Sequence, residues 1–175
     1  IGYKSNLVLL ATRDGVRLSP ECPVLDNINY AVCRLEKSGN VYYVDALQKY
    51  NAFGVLHPKC YKGPGWAVGE PGFAVHISPD NIRERSSLVL TTENADKQDY
   101  RISIIETPGD VTGPAMRKSW KEDSTEIKNY ALKRVKEIPF RGEFLEYKVQ
   151  NLDNPDAPLK LAYRVKIEWP EYDKL

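Results

Sequence analysis

The chain has 175 residues, 42% of them hydrophobic and 28% charged, with a formal net charge of +1. That balance is ordinary for a globular protein long enough to bury one core or two small ones. It gives no case for nucleic acid, which would call for a clustered basic face, and no apolar run approaches the roughly 20 residues of a membrane span.

Three cysteines without close C-x-x-C spacing make neither a disulfide framework nor a zinc or redox motif. No metal or cofactor is therefore expected, and at most one disulfide. The chain opens on an apolar run with no initiator methionine and no signal peptide, which reads as a piece of something longer or a processed product.

In chain order, Leu7 to Ala11 is a continuous apolar run, Asp14-Gly15 a turn, and Pro20-Glu21-Cys22-Pro23 a loop. Asn29 to Leu35 and Val41 to Ala46 read as two strands joined across Lys37-Ser38-Gly39-Asn40. Gly39-Asn40 is the hairpin signal there, because both residues accept positive φ. Cys33 sits in the first of these strands and reads as a small buried thiol. From Ala52 to Gly72 the density of glycine and proline predicts no regular element, only a surface connection or domain boundary.

A second pattern begins at Phe73. Val75-His76-Ile77 reads as a strand with the histidine on its edge or face. Ser86 to Thr92 and Tyr100 to Ile105 read as strands joined by the turn Asn94-Ala95-Asp96-Lys97. Tyr100, Ile102 and Ile104 share one face, since side chains alternate along a strand. Met116, Trp120, Ile127, Tyr130, Ala131, Val135 and Ile138 then recur at helical spacing, which predicts helices near Pro114–Lys121 and Ser124–Glu137. Asp123-Ser124-Thr125-Glu126 has the form of a capping box between them.

Glu143 to Asn151 and Leu159 to Trp169 read as the last strands, separated by Asp153-Asn154-Pro155-Asp156-Ala157-Pro158. Leu161, Tyr163, Val165, Ile167 and Trp169 alternate with polar or small residues, the pattern of a half-buried strand. The order β-β-α-α-β-β predicts an α+β domain with helices on one side of an antiparallel sheet. The expected division is residues 1–73, a small antiparallel sheet, and residues 74–175, the α+β domain.

The run Leu7-Val8-Leu9-Leu10-Ala11-Thr12-Arg13-Asp14, then Asn27-Ile28-Asn29-Tyr30, Tyr43-Val44-Asp45-Ala46 and Pro58-Lys59-Cys60-Tyr61-Lys62-Gly63, resembles the later part of a transglutaminase-like (papain-related) core. The version meant is the one in large bacterial cell-envelope proteins. The resemblance implies a Cys-His-Asp triad with the cysteine on an upstream helix. Asp45 stands at the triad-acid position, and Tyr30 stands where the histidine is expected. After about residue 75 the resemblance passes to the domain of unknown function that follows such cores. It implies a periplasmic or cell-envelope location and, as partner, the remainder of a larger parent chain.

A Cys-His-Asp site needs a base oriented by a carboxylate. A phenol of ordinary pKa near 10 is a poor proton acceptor at neutral pH. The resemblance with its degenerate triad therefore reads as a non-catalytic structural or binding module, with transglutaminase-like or cysteine-peptidase-like activity only in a complete, active parent. A second reading makes Cys60 the nucleophile of a thiol peptidase or acyltransferase. His57 or His76 would be its base, and the adjacent Lys59 would lower the thiol pKa. A third uses the aromatic stretch 42–66, with Tyr42, Tyr43 and Trp66 as a peptide- or glycan-binding surface. The alternative for those rings is filling the core of a small sheet.

Overall fold

The computed structural model describes residues 2–168 apart from positions 20, 22, 23, 62, 80, 81, 83, 97, 98, 139 and 140. The readings of Pro20, Cys22 and Pro23 as loop, of Lys97 as turn and of Trp169 as strand lie outside the described residues. The chain divides into two compact units, Ile1–Arg83 and Glu84–Leu175. It carries nine strands and two α-helices among the described residues, an α+β arrangement built on two antiparallel sheets.

The first unit holds β1 (Lys4–Leu10), β2 (Tyr30–Lys37), β3 (Asn40–Val44), β4 (Gly63–Ala67) and β5 (Phe73–Ile77), in the sheet order β3-β2-β1-β4-β5. The β2–β3 hairpin closes one residue earlier than the sequence suggests. Ser38 (φ 51°) and Gly39 (φ 80°) take the positive φ values, and Asn40 already pairs with Lys37. Two central residues at positive φ match the right-handed twist of the flanking strands.

The glycine- and proline-rich run is a correction. It contains a regular strand, β4, which pairs with β1 through Leu10↔Gly65, Leu9↔Trp66 and Val8↔Ala67, and with β5 from Gly63↔Ile77 to Ala67↔Phe73. Pro64 is tolerated because it lies ahead of the segment paired with β1, where a missing N–H removes nothing from that ladder. Gly65 is required by space: a Cβ there would meet Val8 Cγ1 at 3.0 Å, the Leu9 carbonyl at 3.3 Å and Val75 Cγ2 at 3.4 Å. The change of pattern at Phe73 marks a strand that returns to the first sheet, so the units separate after residue 83 and not at 73.

One face of this sheet is the core of the unit. Val8, Leu10, Val32, Ala67 and Ile77 pack beneath Leu56, Cys60 and Tyr61 from the β3–β4 connection. Strand alternation sends Leu7, Leu9, Cys33, Leu35 and Trp66 to the other face, where Leu7 is 52% exposed.

The second unit holds β6 (Ser87–Asp96), β7 (Asp99–Thr107), α1 (Thr112–Glu122), α2 (Thr125–Lys136), β8 (Arg141–Gln150) and β9 (Lys160–Glu168), with sheet order β6-β7-β9-β8. On β9, Leu161, Tyr163, Val165 and Ile167 are all buried, as their alternation demands. They pack with Ile104 of β7 and with Trp120, Ile127, Ala131 and Val135 of the helices. Tyr100 and Ile102 border the same core, as the shared-face reading expects.

The break between the helices is made by Asp123, whose carboxylate accepts from the Thr125 amide at 2.8 Å and hydroxyl at 2.7 Å. Arg117 of α1 is buried and donates to the carbonyls of Asn151, Asn154 and Ala157, fixing the β8–β9 connection. On the face of the sheet away from the helices, Arg164 lies 3.0 Å from Glu146 and 3.6 Å from Glu93.

Candidate functional site

The first residue of β2 and the residue following β3 meet through their side chains. Cys33↔Val44 is the last pair of the hairpin, so Asp45 leaves the ladder close to Tyr30. The Tyr30 hydroxyl donates to Asp45 Oδ2 at 2.6 Å. Asp45 Oδ1 accepts the Leu47 amide at 3.0 Å, a turn bond that fixes the carboxylate, and Gln48 Nε2 donates to the Tyr30 oxygen at 3.5 Å. Lys59 Nζ lies 4.3 Å from the centre of the Tyr30 ring, within cation–π range.

Burial and Asp45 favour the protonated phenol, against the opposing bond from Gln48. Burial pushes the Tyr30 pKa up, and the hydrogen bond to Asp45 pushes it in the same direction. The pair can bind and orient, but at neutral pH the phenol has a proton to give and no capacity to take one.

Cys60 lies beside this pair. It is 2% exposed, and burial first and the Asp45 charge second push its thiol up to about 11, against the smaller opposing effect of Lys59. At pH 7 fewer than about one molecule in a thousand carries the thiolate.

His57 is engaged with the backbone of its own turn. Its Nδ1 accepts the Lys59 amide at 3.2 Å and caps the single 3-10 turn Pro58–Cys60, leaving the ring exposed. His76 is exposed on β5, opposite Pro64. Cys33 and Cys60 are both free thiols.

The segment carrying Cys60 is pinned to the end of β1. The Arg13 amide donates to the Lys59 carbonyl at 2.9 Å, and the Arg13 guanidinium reaches the Tyr61 carbonyl at 3.3 Å. The Tyr61 hydroxyl accepts the Leu56 amide at 2.7 Å. Asn29 completes the anchorage, its amide side chain bonding both the Thr12 amide (2.8 Å) and the Thr12 hydroxyl (2.9 Å).

The aromatic residues do not form one platform. Tyr42 and Tyr43 are neighbours on a strand and face opposite sides of the sheet. Tyr43 lies opposite Arg34, and Tyr42 packs on Phe53 with ring centres 5.3 Å apart. The Trp66 indole is covered at Nε1 by Gly72, where a Cβ would come within 2.8 Å.

The second unit contains a polar cluster that sequence reading missed. Glu106 is 8% exposed. Its Oε1 accepts from the Tyr163 hydroxyl at 2.6 Å and Arg134 Nε at 2.9 Å, and its Oε2 from the Tyr130 hydroxyl at 2.9 Å. Burial, then the bond to Glu106, pushes Tyr130 up to about 12 and Tyr163 higher still. A cleft of about 310 Å³ opens beside the cluster, between Leu88 and the helical residues Met116, Tyr130 and Arg134. The signal lay in the alternation of β7, which carries the inward series Tyr100, Ile102, Ile104 on to Glu106. A carboxylate on a core-facing position requires partners.

Among the described residues no group of three or more His, Cys, Asp and Glu is placed to hold a metal ion, and no helix is long and apolar enough to cross a membrane. Comparison with known proteins finds no match: no family model, no curated protein and no solved structure aligns with this chain.

Proposed function

We propose that the first unit is a non-catalytic structural or binding module built on a transglutaminase-like core, a part of a larger cell-envelope protein. In this reading Tyr30 replaces the triad histidine and Asp45 is the retained acid. The observation that carries it is the 2.6 Å bond from Tyr30 to Asp45 between adjacent strands. A triad carboxylate holds its base across a hydrogen bond of this kind, and here the group it holds is a phenol that cannot serve as a base at neutral pH. The buried, protonated Cys60 beside the pair supports the same reading, because a nucleophilic cysteine requires thiolate character and access. Partners are then the remainder of the parent chain and a protein, peptide or glycan ligand.

The test is alkylation of each cysteine across pH, resolved by peptide mass. Cys60 should react slowly, with an apparent pKa far above the free-thiol value of about 8.5. Fast reaction at pH 7 with an apparent pKa below that value would overturn the proposal in favour of a thiol peptidase or acyltransferase using Cys60.

A further inference from the structure

The two edges of the second sheet are built differently. β8 carries Arg141, Glu143, Glu146 and Lys148, and its register breaks between Phe144 and Glu146. Charges and a bulge on an edge strand oppose the addition of another strand. β6 has neither device over its first half: Ser87-Leu88-Val89-Leu90-Thr91-Thr92 is uncharged, has no proline, and keeps regular register with β7 up to Asn94. Leu88, Val89 and Leu90 are 50%, 51% and 57% exposed, so both faces of the strand present apolar surface at its free edge. Among the described residues β6 pairs with β7 alone.

We propose that β6 is the pairing edge for a second copy of this chain, joined antiparallel in a register centred on Val89. The ladder restricts the choice. Alternate residues of β6 direct their N–H and C=O groups to β7, and the others direct theirs to the free edge. Two copies can pair only when each residue faces one an even number of positions away, so a residue must lie opposite its own copy.

With Val89 at the centre, Leu88 faces the second copy's Leu90, Ser87 faces Thr91, and Ser86 faces Thr92. Arg85, two residues ahead of the strand, faces Glu93. The twofold repeats each of these pairs. Centring on Leu90 instead sets Leu88 against Thr92 and Ser87 against Glu93, and both the leucine pairs and the ion pairs are lost. Centring on Leu88 sets Leu90 against Ser86 and Arg85 against Thr91.

The surroundings of these positions suit the register. Val89 and Glu93 share the face away from the helices, and continuing the alternation of β6 two residues ahead of the strand puts Arg85 on that face too. Glu93 there accepts from Ser103 Oγ at 2.9 Å and lies 3.6 Å from Arg164, a cation also engaged by Glu146 at 3.0 Å. The second copy's Arg85 supplies a further cation to Glu93. Leu88 and Leu90 share the helix-facing side, where Leu88 lines the 310 Å³ cleft with Met116 and Leu161. The second copy's Leu90 comes beside Leu88 at the mouth of this cleft. Main-chain bonds then supply the affinity and alternate side chains the specificity, as in other strand additions.

The experiment is analytical ultracentrifugation of the full chain up to concentrations on the order of 100 µM, paired with hydrogen exchange of the β6 amides. The wild-type chain should dimerise, with the alternate amides of residues 87–92 that point to the free edge gaining protection as concentration rises. Val89→Lys sets like charges directly opposite on an exposed position and should weaken the dimer by about tenfold or more. Arg85→Glu should weaken it by roughly fivefold, and Arg85→Glu combined with Glu93→Arg should recover most of that loss. Recovery by the double exchange separates pairing from any effect on the fold. A chain that stays monomeric over the range, or a dimer indifferent to Val89→Lys, would overturn the proposal. So would β6 protection that arises only when another protein or peptide is added, which assigns the edge to that occupant.

Discussion

The cluster around Glu106 predicts that its hydrogen bonds act as one unit, and Tyr163→Phe combined with Glu106→Ala measures this. The Tyr163 hydroxyl is buried and donates to the carboxylate at 2.6 Å, a charge-assisted bond worth about 1.5–3 kcal/mol. Tyr163→Phe alone should therefore cost about 2 kcal/mol. Glu106→Ala removes that bond and two others, but Arg134 keeps Glu137 at 2.5 Å and the half-buried Tyr130 can turn its hydroxyl toward water. Its cost should be about 4 kcal/mol, part of it from the Tyr163 hydroxyl left buried without an acceptor. Once the carboxylate is gone, removing that hydroxyl relieves a penalty. The double variant should be no less stable than Glu106→Ala, a coupling of about 2 kcal/mol or more. Exchange of the slowest amides in β7 and β9 reports the stability of the second unit by itself. Additivity of the two changes within about 0.5 kcal/mol would refute the claim that carboxylate and hydroxyl sustain each other.

Three further outcomes follow from local geometry. Burial raises the Glu84 pKa, but its bonds from the Thr112 hydroxyl and the amides of Val111 and Thr112 more than offset this and hold it below the ordinary 4.5. The stability this carboxylate contributes is thus present above about pH 4.5 and lost as pH falls through the lowered value; Glu84→Gln should narrow the gap in Tm between pH 7 and lower pH, and an unchanged gap would remove Glu84 as the anchor of α1. For Cys60 the folded-state pKa is raised from 9.0 to about 11, so its contribution is intact below pH 9 and lost as pH rises toward 11. That gap amounts to roughly 2–3 kcal/mol, and Cys60→Ala should flatten the alkaline fall in the urea midpoint of the first unit, whereas an equally steep fall would show the thiol to be hydrated. Gly65→Ala would drive a methyl group to 3.0 Å from Val8 Cγ1 and should destabilise the first sheet by about 1–3 kcal/mol in thermal unfolding. A wild-type Tm would show that β1 and β4 can move apart.

Much of the second unit is legible in its residue pattern because hydrophobic period and structural period agree there. Leu161, Tyr163, Val165 and Ile167 alternate, and each is buried; Trp120, Ile127, Ala131 and Val135 keep helical spacing, and each is buried. The first unit is harder, since β4 is Gly63-Pro64-Gly65-Trp66-Ala67 and its strand state comes from neighbours on both sides, not from local preference. Tertiary pairing overrides the composition, and the expected boundary fell ten residues early for the same reason. The nearness of Tyr30 and Asp45 follows from the hairpin, whose register is set by its two-residue loop. The nearness of Cys60 to that pair does not follow from any local pattern. It depends on bonds of Lys59 and Tyr61 to Arg13, contacts across more than 40 residues that periodicity cannot encode.

Two tyrosine–carboxylate bonds of 2.6 Å occur among the described residues, and their surroundings differ. Both carboxylates have each oxygen bonded by protein groups, but Glu106 takes three side-chain donors and the tyrosine of its 2.6 Å bond is 4% exposed. Such a cluster is satisfied internally, so disturbing it is paid in stability alone. At Asp45 the partner tyrosine lies at a half-exposed strand end, with a lysine over its ring and an amide side chain at its oxygen. Those groups can exchange partners with a ligand at little cost to the fold, because the neighbouring core residues Val8, Leu10 and Val32 are held independently by the sheet. Tyr30→Phe should therefore change ligand binding more than stability, and Tyr163→Phe the reverse. That contrast is the physical ground on which the proposed binding role is put at the Tyr30 end of the first sheet.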